Sequence, residues 1–157
     1  MKRRVYIETS VASYLTARPS RDLIVAAHQE ITAEWWANQR RRFDLYISEL
    51  VLREASKGDP AAAARRIAEL AGIPLLPIDG AVQELARSFV ERRIVPENVV
   101  EDALHIAVAA SQGMDFLLTW NCRHIANAEV IERLEAACLK LGLLLPTLCT
   151  PEQLMGD

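Results

Sequence analysis

A recurring alternation constrains this chain most: short apolar runs rich in strand formers, each separated from the next by a longer stretch with helical periodicity. The runs are Val5-Tyr6-Ile7, residues 43–47, residues 75–78, residues 116–119 and Leu143-Leu144-Leu145. None alternates polar with apolar residues, as a strand with one wet face would. Uniformly apolar short strands joined through helices specify a parallel sheet buried on both faces. The expected fold class is therefore α/β, a short parallel five-stranded sheet flanked by helices on both faces. No linker, repeat or low-complexity tract interrupts the pattern, so one domain over residues 1–157 is expected.

Capping residues and periodicity place the helices. Ser10 is expected to cap a helix after the first strand. Leu23, Ile24, Ala27, Ile31 and Trp35 recur at helical spacing and predict a second helix reaching Asn38, followed by the basic run Arg40-Arg41-Arg42. Ser48 should cap a helix through Ser56, and Asp59-Pro60 offers a cap with proline at the first helical position. Asp79 caps a helix to about Arg93, Pro96 breaks the pattern, and further helices cover residues 99–112 and 128–140.

A chain of 157 residues buries roughly 68–70% of its unfolded surface and needs no staples. Its formal charge of −3 argues against a surface that attracts nucleic acid everywhere, though it leaves room for a local basic patch. The three cysteines, Cys122, Cys138 and Cys149, have neither CxxC spacing nor paired histidines, and read as reduced thiols. Glu8 ends the first apolar run too early for a signal peptide, and no stretch reaches the ~18 apolar residues of a membrane span. A cytoplasmic protein with no membrane partner is the expectation.

In open α/β sheets ligands bind beyond the carboxyl ends of the strands. Glu8 follows the first strand directly, and Asn121 lies just past the fourth. Glu54 sits about six residues, or ~9 Å, into the helix after the second strand, within reach of the same edge. Asp102 begins a helix that must run antiparallel to the fourth strand, which returns it to that edge as well. Three converging carboxylates repel unless a cation neutralises them, and oxygen ligands favour Mg²⁺ or Mn²⁺. Such ions acidify water and stabilise the attacking and leaving oxygens at phosphorus. Each residue also has a plainer role open to it. Asp102 with Glu101 suits a helix dipole, Asn121 suits a turn, and Glu54 pairs with Arg53 or Lys57 on a wet face. Glu8 is harder to explain away, because a buried strand exit is a costly place for an unpaired charge.

The segments Tyr6-Ile7-Glu8-Thr9-Ser10, Ser48-Glu49-Leu50-Val51-Leu52-Arg53-Glu54, Glu101-Asp102-Ala103-Leu104-His105-Ile106-Ala107 and Leu117-Leu118-Thr119-Trp120-Asn121, in this order, resemble the PIN-domain nucleases, including the VapC-type toxins of toxin–antitoxin pairs. The resemblance runs from Val5 to the last strand. It implies a single PIN-like domain with metal-dependent endoribonuclease activity on RNA, a homodimer, and inhibition by a small antitoxin protein. Glu8, Glu54 and Asp102 match the family's acidic metal positions, and Asn121 matches its more variable fourth position. The family usually carries aspartate where this chain has Glu8, and often a carboxylate where it has Asn121. These departures imply one ion held unaided, and they motivate an alternative: a catalytically impaired PIN-like module that binds RNA or protein.

Thr9 and Ser10 open a helix at the active edge and are candidates for contact with the scissile phosphate, beside simple capping by Ser10. His105, one turn after Asp102, is a candidate general acid, with a structural histidine the favoured reading. His28 and His124 have no evident partners. Trp35-Trp36 with Arg40-Arg41-Arg42 and Lys2-Arg3-Arg4 form either a basic, aromatic RNA surface, or a core and interface helix. A small phosphohydrolase or nucleotide-binding domain is a further rival, weakened by the absence of GxGxxG, GxxxxGK[ST] and GxSxG.

Overall fold

The computed structural model describes residues 1–156. Five strands, β1 (Arg3–Ile7), β2 (Phe43–Ser48), β3 (Leu75–Leu76), β4 (Phe116–Leu118) and β5 (Thr147–Cys149), form one sheet in the order β3-β2-β1-β4-β5. Every pairing is parallel. Val5, Tyr6 and Ile7 point alternately to opposite faces, yet all three are fully buried. Helices must therefore cover both sides of the sheet, as the unbroken apolar run predicts.

Seven α-helices are found among the described residues: α1 (Thr9–Thr16), α2 (Leu23–Glu34), α3 (Glu49–Ala55), α4 (Pro60–Leu70), α5 (Gly80–Glu91), α6 (Val100–Ser111) and α7 (Ala128–Lys140). Helix α6 is apolar nearly all round, burying Ala103, Ile106, Ala107, Val108 and Ala109 between the sheet and α5. Helix α5 answers with Val82, Leu85, Ala86 and Phe89 on one stripe. No helix of the described residues is long and apolar enough to cross a membrane.

Caps explain most helix starts. Asp22, Asp59 and Asp79 each accept a backbone N–H of the first turn, and Asn127 does so for α7. Replacing Asp79 by alanine should cost about 1 kcal/mol. That loss lowers the melting temperature of a domain this size by roughly 2–4 °C, measurable by circular dichroism.

Four local expectations are corrected. The cap of α1 is Glu8, whose carboxylate accepts the Ser10 N–H, and Ser10 lies inside the helix. Ser48 stands at the N-cap of α3, but its side chain does no capping there. Helix α2 ends at Glu34 and passes through a π-helical turn, Trp35–Gln39, into a 3-10 turn, Arg40–Arg42. The fifth strand is Thr147–Cys149 rather than Leu143-Leu144-Leu145: Phe116 pairs with Thr147, Leu148 is buried, and Leu144 is 79% exposed. Pairing with β4 selects the segment beyond Pro146, whatever the apolarity of the leucine run.

Both tryptophans of the pair belong to the core. Trp35 is fully buried with its indole N–H donating to the Leu154 carbonyl, and Trp36 is covered by the Arg40 guanidinium 4.2 Å above its ring. Neither offers a free face for stacking a base.

Candidate functional site

Strand order reverses between β1 and β4, with β2 and β3 to one side and β5 to the other. The carboxyl ends of these two strands are where an open α/β sheet leaves its crevice. Glu8 directly follows β1 and is still tied to the neighbouring strand, its N–H donating to the Leu118 carbonyl at 3.0 Å. Thr119 continues β4 in the same way, donating to the Cys149 carbonyl. The side chains of Glu8 and Thr119 thus leave adjacent strands at one level.

Glu8 is buried, with only 6% of the residue exposed. Its Oε1 accepts the hydroxyls of Thr119 and Ser10, each at 2.5 Å, and Oε2 accepts the Ser10 N–H at 3.1 Å. The extra methylene relative to aspartate is used to fold the carboxylate back over the start of α1. Ser10 Oγ also accepts the Trp120 N–H, and Thr119 Oγ1 accepts the Asn121 N–H. One carboxylate therefore ties β1, α1 and the segment after β4 together.

Glu54, near the end of α3, reaches the same place. Its Oε1 accepts the Thr9 hydroxyl and lies 2.6 Å from His105 Nε2. Burial alone raises the Glu54 carboxyl, but the hydrogen bond and charge of His105, with Thr9 and Lys57, bring it below its ordinary value. His105 is fully buried, as a structural histidine would be, yet it touches Glu54 with one nitrogen and the Tyr6 hydroxyl with the other at 2.7 Å. Burial lowers the imidazole's basicity, and the Glu54 hydrogen bond with the charges of Glu8, Glu54 and Asp102 more than reverses that, leaving it raised.

Asp102 lies in the first turn of α6, half-buried, within electrostatic reach of Glu8, His105 and His124. Burial, then the charge of Glu8, raises its carboxyl above the usual value, against opposition from the Asn121 side chain and both histidines. Asn121 Oδ1 accepts the His124 N–H at 3.0 Å, closing a turn, so it is the amide nitrogen that is left to serve Asp102. His28, for which the sequence offered no partner, stacks on Trp120 at 4.1 Å between ring centroids. The Trp120 indole N–H in turn donates to Thr32 Oγ1.

Of the residues expected at the edge, the structure joins Glu8, Thr9 and Ser10 with Glu54, and brings Asp102 and Asn121 alongside. The hydroxyls of Thr9 and Ser10 are committed to the two glutamates. Tyr6, Ser48 and Thr119 were not expected among them, and His105, raised as a candidate general acid with a structural role favoured, joins them through Glu54. Only His105 carried a readable signal, its placement one helical turn from Asp102.

One carboxylate oxygen each from Glu8 and Glu54 and a ring nitrogen of His105 all lie within 4.8 Å of one another. The two carboxylates suit a hard divalent cation, whereas both ring nitrogens of His105 are engaged, one with Glu54 and the other with Tyr6. A cleft of about 640 Å³, lined in part by Arg93, Pro96, His124 and Arg133, opens beside the site at His124.

The backbone is similar to that of VapC20 from Mycobacterium tuberculosis, a toxin that cleaves the sarcin–ricin loop, with a TM-score of 0.54. The match covers 72% of this chain and 86% of that one at 20% identity. The fold is PIN-like. No family model matches the sequence, and neither does any curated protein. At that identity the likeness speaks for the architecture, and the chemistry has to be argued from the side chains.

Proposed function

We propose that this chain is a divalent-metal-dependent endoribonuclease that hydrolyses RNA phosphodiester bonds. The observation that carries the reading is the convergence of Glu8 and Glu54, from separate elements, to within 4.8 Å at the edge where strand order reverses. Asp102 adds a third carboxylate there. Glu8, Glu54 and Asp102 would hold Mg²⁺ or Mn²⁺, with Asn121 assisting. The bound ion supplies charge neutralisation, an acidified water and stabilisation of the oxygens at phosphorus.

The protein's own contribution is preorganisation. Ser10 and Thr119 fix the Glu8 carboxylate, and Thr9 and His105 fix one oxygen of Glu54. Asn121, itself locked by the His124 N–H, steadies Asp102. Groups fixed before substrate arrives lose little freedom on binding it. On this reading residues 1–157 act as one domain, as the toxin of a toxin–antitoxin pair. It works in the cytoplasm as a homodimer and is restrained by a small antitoxin.

Purified protein incubated with a mixed pool of structured and unstructured RNAs tests the reading. Cleavage is expected with Mn²⁺ or Mg²⁺ and should vanish in EDTA. Cleavage that survives chelation would refute the metal's role.

One observation favours a second reading, a PIN-like module that binds RNA or protein without cutting. The Glu8 carboxylate already accepts three protein hydrogen bonds, which leaves it little capacity for an ion. RNA retention without cleavage, unchanged by EDTA, would establish this second reading.

A further inference from the structure

We propose that His105 is a positioning residue for Glu54: its Nε2–H pins one carboxylate oxygen, leaving the other for the cation, while Tyr6 and Ser48 hold the ring in the form that can donate. The proposal rests on the metal-nuclease reading above and adds to it a buried support that the acidic residues themselves do not reveal.

Both ring nitrogens of His105 are used. Nε2 lies 2.6 Å from Glu54 Oε1, and Nδ1 lies 2.7 Å from the Tyr6 hydroxyl. An ionised carboxylate only accepts hydrogen bonds, so Nε2 must carry a proton. In the neutral ring Nδ1 then accepts, and Tyr6 gives it its one proton. The Tyr6 oxygen is left to accept from Ser48 Oγ, 2.8 Å away. Whether the ring is neutral or protonated, the series from Ser48 through Tyr6 and His105 to Glu54 keeps Nε2–H on the carboxylate.

Ser48 supplies independent support. It stands at the N-cap of α3, where a serine hydroxyl ordinarily caps the helix, but its side chain makes no capping bond and is used on Tyr6 instead. Ile106, Val108 and Ala109, which follow His105 on α6, are apolar and buried, so the packing of that stretch does not itself call for an imidazole. Among the described residues no buried side-chain nitrogen or oxygen lacks a partner, so the polar chain is complete. A complete buried network fixes geometry, whereas a partial one is worse than an apolar core.

The consequence falls on Glu54. Thr9 Oγ1 and His105 Nε2 both converge on Oε1. The carboxylate is therefore oriented before any ion arrives, with Oε2 free of such bonds. Hydrogen-bonded supports of this kind are worth about 10–100-fold in metal affinity.

The test is a Mn²⁺ titration without RNA, followed by electron paramagnetic resonance of the free ion, on wild type, His105→Leu, His105→Gln and Tyr6→Phe, each shown folded by near-UV circular dichroism. Wild type should bind. His105→Leu should bind about 10–100-fold more weakly. His105→Gln, whose amide N–H replaces the ring donor, should recover most of that loss, and Tyr6→Phe should fall between. Equal affinity of folded His105→Leu and wild type overturns the positioning role while the metal reading stands. His105→Gln as weak as His105→Leu also overturns it, because the ring nitrogen would then be a ligand itself. Should His105→Leu not fold, Tyr6→Phe decides, and wild-type affinity in that variant overturns the proposal. No Mn²⁺ binding by wild type would overturn the metal-nuclease reading, and the positioning role with it.

Discussion

Asp102→Asn should lower RNA cleavage by more than the roughly 10–100-fold that losing a metal ligand's hydrogen-bonded support costs. It should also leave the protein as stable as before, or slightly more so. The two expectations have one cause. Burial and the charge of Glu8 raise the Asp102 carboxyl above its ordinary value, so its ionised form is disfavoured in the folded state. An isosteric neutral amide removes that penalty, and it removes with it the charge a cation needs. Cleavage measured with Mn²⁺ beside a thermal melt separates the effects. Equal cleavage by variant and wild type would mean a contaminating nuclease or a mistaken site. A large drop in melting temperature would mean that Asp102 serves the fold instead.

Glu8→Ala should show the opposite balance, with stability falling steeply. The substitution removes the cap of α1, worth about 1 kcal/mol. It also deprives the Ser10 hydroxyl and the fully buried Thr119 hydroxyl of their acceptor, the latter at about 1–3 kcal/mol. A total near 2–4 kcal/mol corresponds to a melting temperature lower by roughly 5–15 °C. Glu8→Gln retains the length and should lose less. Thermal denaturation of both variants checks this, and a shift below about 2 °C for Glu8→Ala would show that the hydrogen bonds to Glu8 contribute little.

Some of this could be read in the chain and some could not, for physical reasons. Helix α7 has the bounds the sequence indicates, because Asn127 caps it and the apolar periodicity runs out at Lys140. The parallel sheet follows from strands with no wet face. The fifth strand was displaced because apolarity alone cannot choose between Leu143-Leu144-Leu145 and Thr147–Cys149; the register against β4 makes that choice. Glu8 was legible as a residue at the edge but not as a cap, since glutamate rarely caps and does so here with the help of Thr119, 111 positions away. The link from Glu54 to His105 spans 51 positions and leaves no local trace beyond the spacing of His105 from Asp102.

The residues that meet at the edge come from early, middle and late parts of the chain, and synthesis delivers them in that order. A ribosome making this protein releases Glu8 first, Glu54 later, and the Thr119 hydroxyl that fixes Glu8 only after most of the chain has emerged. Strand β4 is paired with β1 on one side, and β5, which follows it in the chain, pairs on the other. Domains fold as units once their distant segments are available. On the metal-nuclease reading, the site is therefore not assembled until β4 has joined β1 and Thr119 can hold the Glu8 carboxylate.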